Sequence, residues 1–152
     1  MYKWTYQTEL GAITIGANET HITYLKNFDE CFGIFQEIEL IKNAYLQLVD
    51  YLTGTLREFD LPLDPGGTQF QRDVWFASCE IPYGTTITYT ELALRVNRPS
   101  AIRATGAANG KNPIYIIIPC HRIIGASGRL TGYGGGLEMK EKLLKLEGAI
   151  PR

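Results

Sequence analysis

Early in the chain, short runs of β-branched and aromatic residues alternate with polar breaks. "YKWTYQT", "AITIGA" and "THITYLKNF" are each strand-length, and Leu10-Gly11 and Asn18-Glu19 suit tight reversals between them. An antiparallel meander is the simplest arrangement of three such strands. The period then changes. Ile38, Ile41, Tyr45, Leu48 and Leu52 recur at spacings of three and four, which predicts an amphipathic helix stopped by Gly54. The segment "DLPLDPGG", residues 60–67, extends and then breaks, so a boundary is expected between a first domain, 1–65, and a second, 66–152.

The second part reads as mostly helical. Thr68 with Gln71 has the spacing of a capping box ahead of Phe70, Val74 and Trp75, and "IPYG" at 81–84 is a turn. Thr88 with Glu91 predicts a second capping box opening "ELALRV", and Pro99 is expected at the first position of the next helix, "PSAIRATGAANG". Two short helices joined tightly, the second carrying Arg103, have the layout of a helix-turn-helix, although any two packed helices can imitate one. The glycines of "IIGASGRLTGYGGG" suit a hairpin or a wing, and "LEMKEKLLKLEG" is an amphipathic helix ending at Gly148. The expected class is therefore α+β, a small antiparallel sheet with one helix followed by a mainly helical domain.

Composition is that of an ordinary globular protein, 45% hydrophobic and 20% charged. Three widely spaced cysteines, Cys31, Cys79 and Cys120, argue against a disulfide framework and suit a reducing compartment. With no signal-like start and no membrane-length apolar run, a cytoplasmic location is expected. Two histidines, His21 and His121, and no CxxC pair make a metal site unexpected. Charge changes the picture more. Residues 1–64 hold four basic and ten acidic side chains, a net of −6, whereas residues 65–152 hold eleven and six, a net of +5. Between Glu91 and Glu138 there are six cations and no acid, the asymmetry expected of a half that meets a polyanion, or else a solvated basic face.

The densest chemistry lies in "IYIIIPCHRII", residues 114–124, where Cys120, His121 and Arg122 interrupt an apolar run. A thiol reacts as its thiolate, which nearby positive charge favours. Read as an extended segment, however, the run sends adjacent side chains to opposite faces, so "CHR" alone does not establish a cysteine–histidine pair. An inert core cysteine is the commoner fate in such surroundings. Glu147 is a carboxylate available from a distance to orient a base, or simply a surface residue of the last helix.

"FQRDVW", "IPYGTTITYTELA", "AIRATGAANGKNPI", "IPCHRI", "GYGGG" and "KEKLLKLEGA" follow one another over nearly all of residues 68–149. In order and spacing they resemble the O6-alkylguanine-DNA alkyltransferases. The resemblance implies a ribonuclease H-like N-terminal domain, a winged helix-turn-helix, and stoichiometric transfer of an alkyl group from O6 of guanine, or O4 of thymine, to Cys120. By the same resemblance His121 is the base, acting through a water and held by Glu147, while Asn112 ties the helix-turn-helix to the active-site segment. Tyr89 sits near the damaged guanine and aids protonation of the leaving group. Arg103 fills the gap left by the extruded base, with Ala104 and Gly106 small enough for close approach to the minor groove. Tyr133 and Ile123 line the guanine pocket. Gly134 departs from the serine frequent at its position, which removes a hydroxyl contact. No cofactor or metal is implied; the partner is double-stranded DNA containing O6-alkylguanine, met by a monomer without a membrane.

Three other readings compete. A non-catalytic reader of alkylated DNA has no use for Cys120. A thiol hydrolase does not account for the acid-free stretch, and a winged-helix regulator leaves the cysteine without a task.

Overall fold

The computed structural model describes residues 1–151, and the chain divides into two compact units, Met1–Gly66 and a second beginning at Gly67. In the first, β1 (Tyr2–Thr8), β2 (Gly11–Ala17) and β3 (Ile22–Lys26) form the expected antiparallel meander. A two-residue strand, β4 (Ile34–Phe35), adds to the free edge of β1 in parallel, giving the order β3-β2-β1-β4. Two residues are too few to leave a periodic signal, which is why β4 was not anticipated.

Helix α1 (Glu39–Leu52) packs Ile41, Ala44 and Leu48 against Ile13, Ile15 and Leu25, all fully buried. Ile38 caps this helix rather than packing within it, and Tyr45 stacks flat on Tyr6 with ring centroids 3.9 Å apart. Gly16 leaves room beside it for Cys31, whose sulfur would stand 2.5 Å from a Cβ there. The 60–67 segment is anchored rather than loose. Leu63 bridges Ile22 in parallel, with Ile22 N–H donating to Pro62 O at 2.8 Å and Asp64 N–H to Ile22 O at 2.8 Å.

The second unit opens with α2 (Gln69–Cys79), whose capping box is complete: the Thr68 hydroxyl accepts from Gln71 N–H and the Gln71 side chain from Thr68 N–H. Strand β5 (Ile87–Thr88) leads into α3 (Tyr89–Arg95). Here only half a box forms. Thr88 accepts from Glu91 N–H at 3.2 Å, but the Glu91 carboxylate turns to Arg95, four residues on. Helix α4 (Ile102–Gly110) begins three residues later than expected. Pro99 and Ser100 form a turn instead, with Ala101 N–H bonded to Arg98 O. Trp75 Nε1–H donates to Ala108 O at 2.8 Å and so locks α4 onto α2.

The glycine-rich stretch forms no hairpin. Strand β6 (Ile123–Ile124) pairs in parallel with β5, and the chain beyond it is a loop closed by Gly125 N–H on Arg129 O. Helix α5 (Leu137–Leu146) follows, ending with Gly148 at φ 75°, a left-handed position suited to glycine. Among the described residues no helix is long and apolar enough to cross a membrane.

Thr68→Ala removes the acceptor half of the complete box and should cost about 1 kcal/mol. The check is a lowered urea midpoint with an unchanged slope.

Candidate active site

The run 114–119 is not a strand. Ile117 N–H bonds Tyr115 O at 2.8 Å, Ile118 N–H bonds Ile114 O at 3.1 Å, and Cys120 N–H bonds Ile118 O at 2.8 Å, so the chain folds through consecutive tight turns. Ile116 sits at φ 73°, a left-handed conformation that a β-branched residue adopts at a cost of about 1–3 kcal/mol. The Asn112 side chain brackets these turns: its carbonyl accepts from Ile114 N–H at 2.9 Å and its amide donates to Ile118 O at 3.0 Å. The same amide reaches Cys120 Sγ at 3.0 Å. The expectation of an extended active-site segment is therefore corrected. Side-chain bracketing offers the backbone an alternative to strand pairing, and that competition is invisible in an apolar pattern.

Cys120–Arg122 form one turn of 3-10 helix, and all three side chains are buried. His121 Nε2 lies 2.7 Å from Glu147 Oε2. Arg122 grips the same carboxylate with two bonds, Nε to Oε1 at 2.8 Å and Nη2 to Oε2 at 2.9 Å, and sends Nη1 to Ile81 O at 2.8 Å. Glu147 thus lies at the core of the site, not on the helix surface. Burial alone would raise its carboxyl, but hydrogen bonds from His121 and Arg122 outweigh burial and hold it well below the usual carboxylate range. Burial lowers the His121 imidazole, with Glu147 opposing, so the ring is neutral and able to accept a proton. Burial pushes the Cys120 thiol up to about 11, while the Asn112 amide, the Lys140 charge and the Tyr133 hydroxyl pull the other way. The resting sulfur is a thiol that needs a base.

Joined to this buried cluster through Tyr133, a cavity of about 570 Å³ runs from the start of α3 along α4 and is lined by Tyr89, Arg103, Gly106, Tyr133 and Gly134 among others. Arg103 and Ala104 are exposed on α4, and Gly106 faces the Tyr89 ring, where a Cβ would stand in ordinary contact at 3.6 Å. Ala104 and Ile123 do not line the cavity; Ile123 is fully buried in the parallel pair behind it. At Gly134 a Cβ would collide with the Tyr115 hydroxyl, so the missing side chain has a cause: Tyr115 occupies its place.

Two functional candidates escaped the sequence reading. In the sequence Arg122 reads only as a cation near the thiol, and Lys140 only as the first residue of "KEKLLKLEGA", with no role of its own. Lys140 is fully buried, donating to Ile123 O at 2.6 Å and Thr131 O at 2.9 Å. A signal was present, because Lys140, Leu144 and Glu147 share the spacing of the buried face of α5.

A helix-turn-helix unit that carries its own buried thiol, imidazole and carboxylate close to a cavity along its second helix defines a narrow class of protein. Family models agree: residues 69–149 match the 6-O-methylguanine DNA methyltransferase DNA-binding domain and residues 1–65 its ribonuclease-like domain. The methylated-DNA–protein-cysteine methyltransferase of Methanosarcina barkeri is 46% identical over 97% of both chains. That of Mycolicibacterium paratuberculosis is 45% identical over 94% of this chain and 90% of its own. The crystal structure of Mycobacterium tuberculosis OGT in complex with DNA superposes with a TM-score of 0.91 at 43% identity, over 97% of this chain and 93% of that one. The chain belongs to the 6-O-methylguanine DNA methyltransferase family.

The Glu147 cluster sets an acid limit on stability. The His121 ring binds its proton less readily folded than unfolded, so stability falls as pH drops below 6.5, its ordinary value. Glu147, depressed in the fold, adds stability that is full above 4.5 and lost below it. Glu147→Gln leaves Arg122 buried without its counter-charge and should cost about 3–5 kcal/mol at neutral pH. It should also flatten the decline below pH 4.5, read from urea midpoints across pH.

Proposed function

We propose that this chain repairs duplex DNA by transferring the alkyl group from O6 of guanine to Cys120, once per molecule and without a cofactor. The observation that carries the reading is the buried thiol, held by Asn112 on the same turn as the His121–Glu147 pair, with Tyr133 linking that thiol to an adjoining cavity. Family membership over both units supports it.

A base inside the stack cannot offer its alkyl carbon to a buried sulfur, so the nucleotide is turned out into the cavity. Arg103, exposed at the cavity rim, takes the vacated place in the duplex, and the small Ala104 and Gly106 let α4 approach the minor groove. The thiol proton passes to neutral His121 through a water, and Glu147 stabilises the imidazolium that forms. The sulfur pair makes the S–C bond as the C–O6 bond breaks. The electron pair left on guanine takes a proton from Tyr89, and the product is a thioether and an unmodified base. Tyr133 and Gly134 shape the guanine side of the pocket, with O4-alkylthymine as the smaller alternative substrate. Residues 66–152 carry both DNA binding and chemistry. The chain acts as a monomer in the cytoplasm, where its thiol stays reduced.

Incubation with duplex DNA containing O6-methylguanine should add one methyl group to the peptide bearing Cys120, and Cys120→Ser should abolish the gain. Binding of the duplex with an unmodified thiol would instead identify a non-catalytic reader. Tyr89→Phe should slow transfer by about 10²–10⁴-fold while leaving DNA affinity nearly intact, because it removes the acid and keeps the ring.

A further inference from the structure

The buried charges of this site do not balance. Arg122 and His121 share Glu147, whereas the Lys140 ammonium, equally buried, has only the carbonyls of Ile123 and Thr131 as partners. Among the described residues no carboxylate stands within ion-pair range of it. A fully buried cation held only by neutral dipoles is costly, and it persists where something else uses its charge.

The carbonyls that hold Lys140 locate that use. Ile123 follows directly on the turn bearing Cys120, and Thr131 lies two residues before Tyr133, whose hydroxyl bears on the thiol. Lys140 therefore pins the two ends of the 124–130 loop, one of them directly following the cysteine turn. We propose that Lys140 is a positioning residue that supplies the counter-charge for the Cys120 thiolate formed during transfer.

This rests on the proposed thiol chemistry but not on DNA. When the thiol proton leaves for His121, the sulfur gains a negative charge inside a site whose one carboxylate is already doubly engaged. The groups facing this exchange are Cys120 and Tyr133 at the sulfur, His121 and Arg122 on the turn, and Glu147 on α5. Lys140 is the cation among them with no acid to neutralise it. Once the sulfur is alkylated no anion can form, and the ammonium returns to carbonyl partners alone.

The test reads sulfur reactivity directly. Cys120 is alkylated with iodoacetamide across pH and followed by mass at its own peptide, separately from Cys31 and Cys79. Lys140→Gln keeps an N–H donor for the two carbonyls and removes the charge. Its thiol should ionise at higher pH and react on the order of tenfold more slowly at neutral pH, one pKa unit being tenfold. Lys140→Arg should recover most of the rate. A folded Lys140→Gln protein with an unchanged profile would overturn the proposal.

Wild-type protein supplies an independent reading should Lys140→Gln fail to fold. Burial brings the Lys140 amine down to about 8, so the Cys120 profile should show a second inflection near that pH as the counter-charge is lost. A single simple ionisation curve would overturn the proposal as well. Loss of methyl transfer from DNA with the iodoacetamide profile intact would count against the repair reading alone.

Discussion

Much of the C-terminal unit hangs on the Glu147 carboxylate, because its two oxygens are claimed by groups from two separate parts of the chain, the cysteine turn and the 81–84 turn. Arg122 takes both oxygens, His121 takes one, and Gly84 N–H approaches Oε1 at 3.4 Å. Arg122 then extends the connection to Ile81 O, so the 81–84 turn, the cysteine turn and the end of α5 are fastened at one point. Desolvating these charges costs several kcal/mol per ion, and bidentate geometry with filled hydrogen-bonding positions is what offsets it. A hydrophobic cluster could hold the same elements together at least as firmly. It could not also orient an imidazole beside a thiol.

The neighbouring thiol is governed by the opposite balance. Burial dominates and keeps the sulfur protonated at rest, while Asn112, Lys140 and Tyr133 each offset part of that cost. Such an arrangement suits a protein that spends its cysteine once. A freely ionised thiolate would be consumed by any small electrophile, whereas a buried thiol with a base in reserve reacts when a substrate is correctly placed. The strained turn at Ile116 serves the same end. Asn112 holds three groups of that segment and so fixes where the sulfur lies.

Legibility of the chain follows the range of the interactions involved. The meander, α1, the Thr68 box and the ends of α5 were readable because alternation, three-and-four spacing and caps act within a few residues. Pro99 misled because proline suits a helix start without requiring one, and here the Arg98–Ala101 turn claimed it. Glu91 misled because Arg95 competed for its side chain. The run 114–119 misled most. Its apolar residues fit a buried strand, but the run folds through tight turns, and the Asn112 side chain supplies backbone partners to Ile114 and Ile118.

Taken by itself, the sequence determined the two-part α+β organisation, the basic character of the second half and, through ordered motifs, the family to which the chain belongs. Those properties reside in local pattern and composition, which need no coordinates. Tertiary structure alone decided that Cys120 and His121 share one buried turn and that Glu147 serves two cations. It likewise decided that Tyr115 fills the space beside Gly134 and that, among the described residues, Lys140 stands without an acid. Each of these depends on groups brought together across many residues by packing, and the distance and desolvation that give them their chemistry exist only once the chain has folded.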